Sequence, residues 1–75
     1  MIIIVRDIYN HKAAYTVKDT DTIEVLKAMI EFRIGISKFS QRLIYRGQML
    51  EDERKICHYN IKDHSYVDLC FRQVC

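Results

Sequence analysis

A twelve-residue helical pattern, bounded at both ends by residues that favour helix termini, constrains the fold of this chain more than any other stretch. Apolar residues recur at helical spacing at Ile23, Leu26, Ile30 and Ile34. This spacing places them on one face of a helix. Asp21 or Thr22 can accept hydrogen bonds from the first turn, and Gly35 can end the helix in a left-handed conformation. We therefore predict a helix over Ile23–Ile34.

Alternating apolar residues on both sides of this helix predict five strands. Residues 1–7 and 12–18 form one hairpin, 41–45 and 48–50 form a second around Gly47, and 66–72 form the last strand. Residues 56–59 are expected to form one short helical turn. Two strands, a helix and three strands indicate an α+β fold, with one helix packed across a mixed five-stranded sheet. The connection through the helix allows strands one and five to lie parallel at the centre.

The third strand carries the residue of greatest functional interest. Leu43 and Tyr45 point to one face of the strand, and Arg42 and Ile44 point to the other. If Leu43 faces the core, Ile44 faces outward.

The composition of the chain excludes some classes of partner. The chain has 75 residues, which suit a single domain, with 49% hydrophobic and 29% charged residues. Its net charge of +2 comes from scattered basic residues, so we expect no nucleic-acid partner. The apolar residues 1–5 are too few for an export signal or a membrane span, and we expect no membrane association.

The cysteines and histidines lack the spacing of a metal or disulfide framework. Cys57, Cys70 and Cys75 are an odd number without a CxxC motif, which predicts reduced thiols in the cytoplasm or nucleus. No cofactor or metal is expected. Cys57-His58 is the single nominal nucleophile–base pair, but adjacent residues on a short turn rarely face each other, so we do not expect an enzyme.

A second apolar stripe marks the predicted helix. Val25, Met29 and Phe32 lie nearly opposite the core-facing residues. They are either scattered surface hydrophobes or a second docking surface, used for self-association or against another domain. Both interpretations remain open at this point.

The chain resembles ubiquitin, without a gap from Met1 to Arg72. Matching blocks are Asp21-Thr22-Ile23-Glu24, Lys27-Ala28 with Ile30, Gly35-Ile36, Gln41-Arg42-Leu43-Ile44 with Gly47, Leu50-Glu51-Asp52 with Arg54, and Tyr59-Asn60-Ile61. The resemblance implies a β-grasp domain over residues 1–72 with a short tail, 73–75. It also implies protein recognition in the ubiquitin–proteasome pathway.

The resemblance further implies a recognition surface on the exposed face of the sheet. Its residues here are Ile8, Arg42, Ile44, Gly47, Gln48, Asp68, Cys70 and Arg72. Asp68 stands where the family usually has histidine, and we expect its carboxylate to pair with Arg42 or Arg46 and to shift partner choice. A smaller matched patch comprises Ile8, Ile36 and Phe71.

Two departures from the family bear on conjugation. The chain ends Arg72-Gln73-Val74-Cys75, whereas family modifiers end in Gly-Gly, so we expect that it is not conjugated. Among the family's chain-linking lysines, Lys27 alone is kept, and it should be partly buried. The other six positions carry Arg6, His11, Met29, Arg33, Gln48 and Asp63.

The favoured interpretation is a non-catalytic interaction domain of a larger protein that docks ubiquitin receptors or proteasome subunits. The alternative is a modifier precursor or degenerate copy, attached covalently to other proteins.

Overall fold

The computed structural model describes residues 1–71 and contains five strands and one α-helix. The elements are β1 (Ile2–Arg6), β2 (Lys12–Thr16), α1 (Ile23–Ile34), β3 (Gln41–Tyr45), β4 (Gln48–Met49) and β5 (Ser65–Phe71). Two 3₁₀ turns, Lys38–Ser40 and Ile56–Tyr59, complete the order. The predicted Arg72 and the tail 73–75 lie outside the described residues.

The strands form one mixed sheet in the order β2-β1-β5-β3-β4. β1 and β5 pair parallel at the centre, and the other neighbours pair antiparallel. The predicted α+β layout, with its parallel central pair, is confirmed. Over residues 1–71, no helix is long and apolar enough to span a membrane.

The ends of α1 follow from its flanking residues. The Thr22 Oγ1 accepts from the Val25 N–H at 3.4 Å, which satisfies a donor of the first turn. Gly35 adopts φ 78° and its N–H donates to the Glu31 carbonyl at 2.8 Å. A left-handed residue at this position is natural for glycine, and the predicted bounds of the helix are confirmed.

The core lies between α1 and one face of the sheet. Its fully buried side chains come from every layer: Ile3, Ile23, Leu26, Ile30, Leu43, Ile56 and Val67. Lys27 is also buried, at 7% exposure, and its Nζ lies 2.6 Å from Asp52 Oδ1. The ion pair explains how a charge is tolerated there, and the predicted burial of Lys27 is confirmed.

The β3–β4 turn contains a feature that the sequence pattern did not reveal. Arg46 adopts φ 53° and Gly47 φ 78°. Two-residue hairpins whose turn twists with the strands require positive φ at both central residues. Gly47 alone was predicted to take that conformation.

One expectation about the cysteines is wrong. Cys57 is an exposed free thiol, whereas Cys70 is disulfide-bonded. Spacing alone could not reveal this, because a disulfide depends on which positions the fold brings together.

Candidate protein-binding surface

The face of the sheet that points away from α1, called here the open face, presents one row of side chains across all five strands. The register pairs Lys12 with Arg6, Arg6 with Asp68, Asp68 with Ile44, and Ile44 with Met49. Directly paired residues on neighbouring strands project from the same face. The row therefore defines the chemistry of the open face from β2 to β4.

The β3–β4 end of this row is apolar. A shallow depression of about 250 Å³ brings together Ile8, Ile44 and Cys70, with Arg6, Asp7, Asp68 and Leu69 completing its wall. Met49, at 56% exposure, adjoins Ile44 across the β3–β4 pair. We call Ile8, Ile44, Met49 and Cys70 the Ile44 patch.

Alternation along β3 explains the outward position of Ile44. Leu43 and Tyr45 are buried against the core, whereas Arg42 and Ile44 are half-buried on the open face. Met49 was not assigned to the site from sequence. The two-residue turn would have identified it, because that turn fixes Tyr45 opposite Gln48 and so Ile44 opposite Met49.

Asp68 pairs with Arg6, so the expectation of Arg42 or Arg46 as its partner is wrong. Arg6 Nη2 and Nε lie 2.9 and 3.1 Å from Asp68 Oδ1. The parallel β1–β5 register places Arg6 directly beside Asp68. Arg42 instead lies opposite Cys70, and the Arg46 guanidinium lies 5.5 Å from the Tyr45 ring centre.

The other end of the open face is basic and aromatic. Arg6 and Lys12 place their cationic groups 5.7 and 5.6 Å from the centre of the Tyr66 ring. Such cation–π contacts favour a fixed arrangement of all three side chains. Through its ion pair with Asp68, Arg6 connects this cluster to the wall of the depression beside Ile44.

The remaining predicted residues of the sheet are not among the described residues that line the depression. Gly47 and Gln48 are exposed at the β3–β4 turn. Ile36 and Phe71 are half-buried, and both adjoin Gln41. Gln41 is the register partner of Phe71, and its Nε2 donates to the Ile36 carbonyl at 3.0 Å.

Two of the three residues of the second apolar stripe predicted on α1 line the same groove. Met29 and Phe32 line a groove of about 720 Å³ between α1 and β2, together with Ala14, Tyr15, Thr16, Ala28 and Arg33. Val25 is exposed on the same helix, but the described lining residues do not include it.

Tyr15 forms the floor of this groove. Burial raises the pKa of Tyr15, and Arg33 opposes that shift through its charge and a hydrogen bond. The Arg33 guanidinium lies 5.4 Å from the centre of the Tyr15 ring. The charge of Arg33 therefore lies beside Tyr15 at this edge of the sheet.

The Cys57-His58 pair lies on the Ile56–Tyr59 turn. The His58 ring packs edge-on against Tyr59, with centres 5.0 Å apart. Within residues 1–71, no group of three or more His, Cys, Asp or Glu side chains is placed to hold a metal ion.

Comparison with known proteins agrees with the fold. A family model described as the ubiquitin family matches residues 3–74. Ubiquitin-like protein 4A of Anoplopoma fimbria is 27% identical over 74 residues, covering 99% of this chain and 47% of that protein. Large proline-rich protein bag6-A of Xenopus laevis is 33% identical over 61 residues, covering 81% of this chain and 5% of that protein.

A third relative is the NEDD8-like protein RUB3 of Arabidopsis thaliana. It is 42% identical over 50 residues, covering 67% of this chain and 64% of that protein. The chain thus spans less than two thirds of the length of each of these three relatives.

Proposed function

Because the chain belongs to the ubiquitin family, we propose that it is a non-catalytic interaction domain that docks protein partners through the Ile44 patch. The observation that carries this proposal is the depression that gathers Ile8, Ile44 and Cys70 on a rigid sheet. An apolar centre with a polar rim is the usual anatomy of a protein-binding surface.

The surroundings of the patch support a specific way of docking. Ile44 and Met49 supply apolar area that a partner can cover, and Arg42, which pairs with Cys70 on the same face, supplies a charged rim. Buried central anchors contribute most of the binding energy in such interfaces, and the rim orients the partner. An amphipathic helix that presents small apolar side chains fits this surface.

The proposed partners are ubiquitin receptors or proteasome subunits. The similarity to ubiquitin-like protein 4A and to bag6 supports a domain of a larger protein, because both relatives extend well beyond the matched region. In this proposal the domain recruits partners and performs no chemistry itself.

The direct test is the affinity of the 75-residue chain for an isolated ubiquitin-interacting helix, before and after Ile44→Ala. We expect at least tenfold weaker binding, since truncating a central anchor costs more than about 1.4 kcal/mol. Val25→Ala is the matched control, because it removes an exposed aliphatic from α1 and should leave affinity unchanged. Equal affinity for the wild type and Ile44→Ala, with both folded by circular dichroism, would refute the proposal.

The second candidate function is a covalently attached modifier, and similarity to a NEDD8-like protein is the observation in its favour. Residues 73–75 of this sequence are Gln73-Val74-Cys75 and contain no glycine. Its Lys27 Nζ is held by Asp52 and is a poor acceptor for linkage. We expect no thioester when the chain is incubated with ubiquitin-activating enzyme and ATP; a thioester would favour the modifier.

A further inference from the structure

The basic end of the open face contains two like charges at directly paired positions. Lys12 on β2 is the register partner of Arg6 on β1. Like charges that face each other on neighbouring strands destabilise a sheet. Arg6 is compensated by Asp68 at 2.9 Å, whereas Lys12 takes part in no ion pair among residues 1–71. One positive charge is therefore left uncompensated at this end of the open face.

The side chain of Lys12 crosses the neighbouring strand. Its Nζ lies 5.6 Å from the centre of the Tyr66 ring, and Tyr66 is on β5. Because β1 lies between β2 and β5, the charge of Lys12 lies over β1. The Arg6 guanidinium is 5.7 Å from the centre of the same ring. Both cations are thus gathered over β1, beside a ring that is 49% exposed.

The two cations lie at a defined distance from the Ile44 patch. The sheet order places β5 between β1 and β3, so the cations are two strand spacings, or about 10 Å, from Ile44. An α-helix that crosses the strands covers this distance with about seven residues, or two turns. Residues i and i+7 project from the same side of a helix. One docked helix can therefore contact Ile44 and the cations together.

We propose that the partner helix carries an acidic residue two turns after the apolar residue that it seats against Ile44, and that Lys12 and Arg6 bind this carboxylate beside Tyr66. This inference rests on the proposed function, because it assumes that a helix docks on the Ile44 patch. A single carboxylate matches the single uncompensated charge at this end of the sheet.

The direction of the helix follows from its dipole. The C-terminal end of a helix carries a partial negative charge and is stabilised by cations nearby. This end should therefore lie over β1, where Lys12 and Arg6 are gathered. The acidic residue thus follows the apolar residue along the partner chain.

Asp68 limits where negative charge can lie on the partner. It is between Ile44 and Arg6 in the row of paired residues, and its side chain is exposed. One strand spacing corresponds to about three residues of a crossing helix. A second acidic residue one turn after the apolar residue would face this carboxylate and be repelled. A nucleic acid, which carries a charge at every phosphate, would meet the same repulsion, so a peptide fits the site better.

The test compares three forms of one ubiquitin-interacting helix by calorimetric titration with the 75-residue chain. The first form has glutamate at i+7, counted from its central apolar residue, and the second has glutamine there. The third has the same glutamate moved to i+9, on the opposite side of the helix. We expect the first form to bind about fivefold tighter than the other two, which corresponds to about 1 kcal/mol.

A pair of lysine variants locates the charge that is responsible. Lys12→Met removes the charge but keeps a long side chain, and it should bind all three forms equally. Lys55→Met is the matched control. Lys55 is exposed and bridges to Thr22 at the start of α1, away from the open face, so this variant should keep the fivefold preference.

The outcomes separate this inference from the proposed function. Equal affinity of the wild type for all three forms, with Ile44→Ala still weakening each of them, would overturn the inference and leave the proposed function standing. A preference for the first form that survives Lys12→Met would overturn it as well. If Ile44→Ala weakens none of the three forms, the proposed function fails, and the inference fails with it.

Discussion

The open face and the α1–β2 groove are both apolar in part, but they are built in different ways. The Ile44 patch consists of half-buried or exposed aliphatic and sulfur side chains, which come from β3, β4, β5 and the turn after β1. The groove instead combines an exposed aromatic ring with a strand edge whose backbone points outward. Side chains alone supply the contacts on the open face, whereas backbone hydrogen bonds are available at the groove.

This difference separates two kinds of recognition. A patch of side chains on a finished sheet suits a helix or another folded surface, because its hydrogen bonds are already satisfied within the sheet. A free edge suits another strand. The two surfaces can therefore serve different occupants, and variants of one should leave the other unaffected.

The largest effect is expected on the free energy of unfolding when side chains on the two faces of β3 are truncated one at a time. Leu43→Ala should lower the free energy of unfolding by about 2–5 kcal/mol, because it empties a fully buried site. Ile44→Ala should cost about 1 kcal/mol, because that side chain is half-buried. Denaturant unfolding followed by circular dichroism measures both. Equal losses would contradict the assignment of Ile44 to an outward, binding role.

A smaller effect is expected at the centre of the open face. Asp68→His removes a carboxylate that accepts from Arg6 beside the Ile44 patch and supplies the residue that the family usually has there. We expect affinity for a ubiquitin-interacting helix to rise about fivefold, which corresponds to about 1 kcal/mol. Glu53→His, on an exposed loop, is the control for the change in charge. Unaltered affinity in calorimetric titration would show that Asp68 does not influence partner choice.

The smallest effect concerns the hydrogen bonds that hold the start of β1. The Ile2 N–H donates to Asp63 Oδ1 at 2.6 Å, and this bond, with His64 nearby, holds the pKa of Asp63 below its ordinary value. A carboxylate with a lowered folded pKa stabilises the fold above its unfolded pKa of about 3.9, and this contribution is lost as pH falls through the folded pKa.

The measurement is the unfolding midpoint of the wild type and Asp63→Asn as a function of pH. The wild type should be slightly more stable at neutral pH, and the difference should disappear at strongly acidic pH. A difference that stays constant down to the most acidic conditions would show that the Asp63 carboxylate charge contributes nothing.

Much of the fold could be predicted from short-range sequence patterns, namely helix-capping residues and the alternation of apolar residues along strands. Thr22 and Gly35 act on the backbone beside them, and so the bounds of α1 could be predicted from sequence. Strict alternation likewise separated Leu43 from Ile44 on β3. The resemblance to ubiquitin placed Ile8 and Cys70 near Ile44, and the structure gathers all three around one depression.

Long-range register could not be predicted in the same way. Asp68 pairs with Arg6, 62 positions away, because two parallel strands align at that point. A shift of one residue in the register of β1 and β5 would have placed a different side chain beside Asp68. The outward carbonyl of Ala14 is a further example, since it depends on which peptide groups next to Val17 pair with β1.

The most direct test of the central claim is to map amide chemical-shift changes in the ¹⁵N-labelled chain as an unlabelled ubiquitin-interacting helix is added. The proposed function predicts the largest changes at Ile8, at Arg42 and Ile44 on β3, at Met49 on β4, and at Asp68 and Cys70 on β5. Changes confined to β2 and α1, with the amides around Ile44 unmoved, would contradict it.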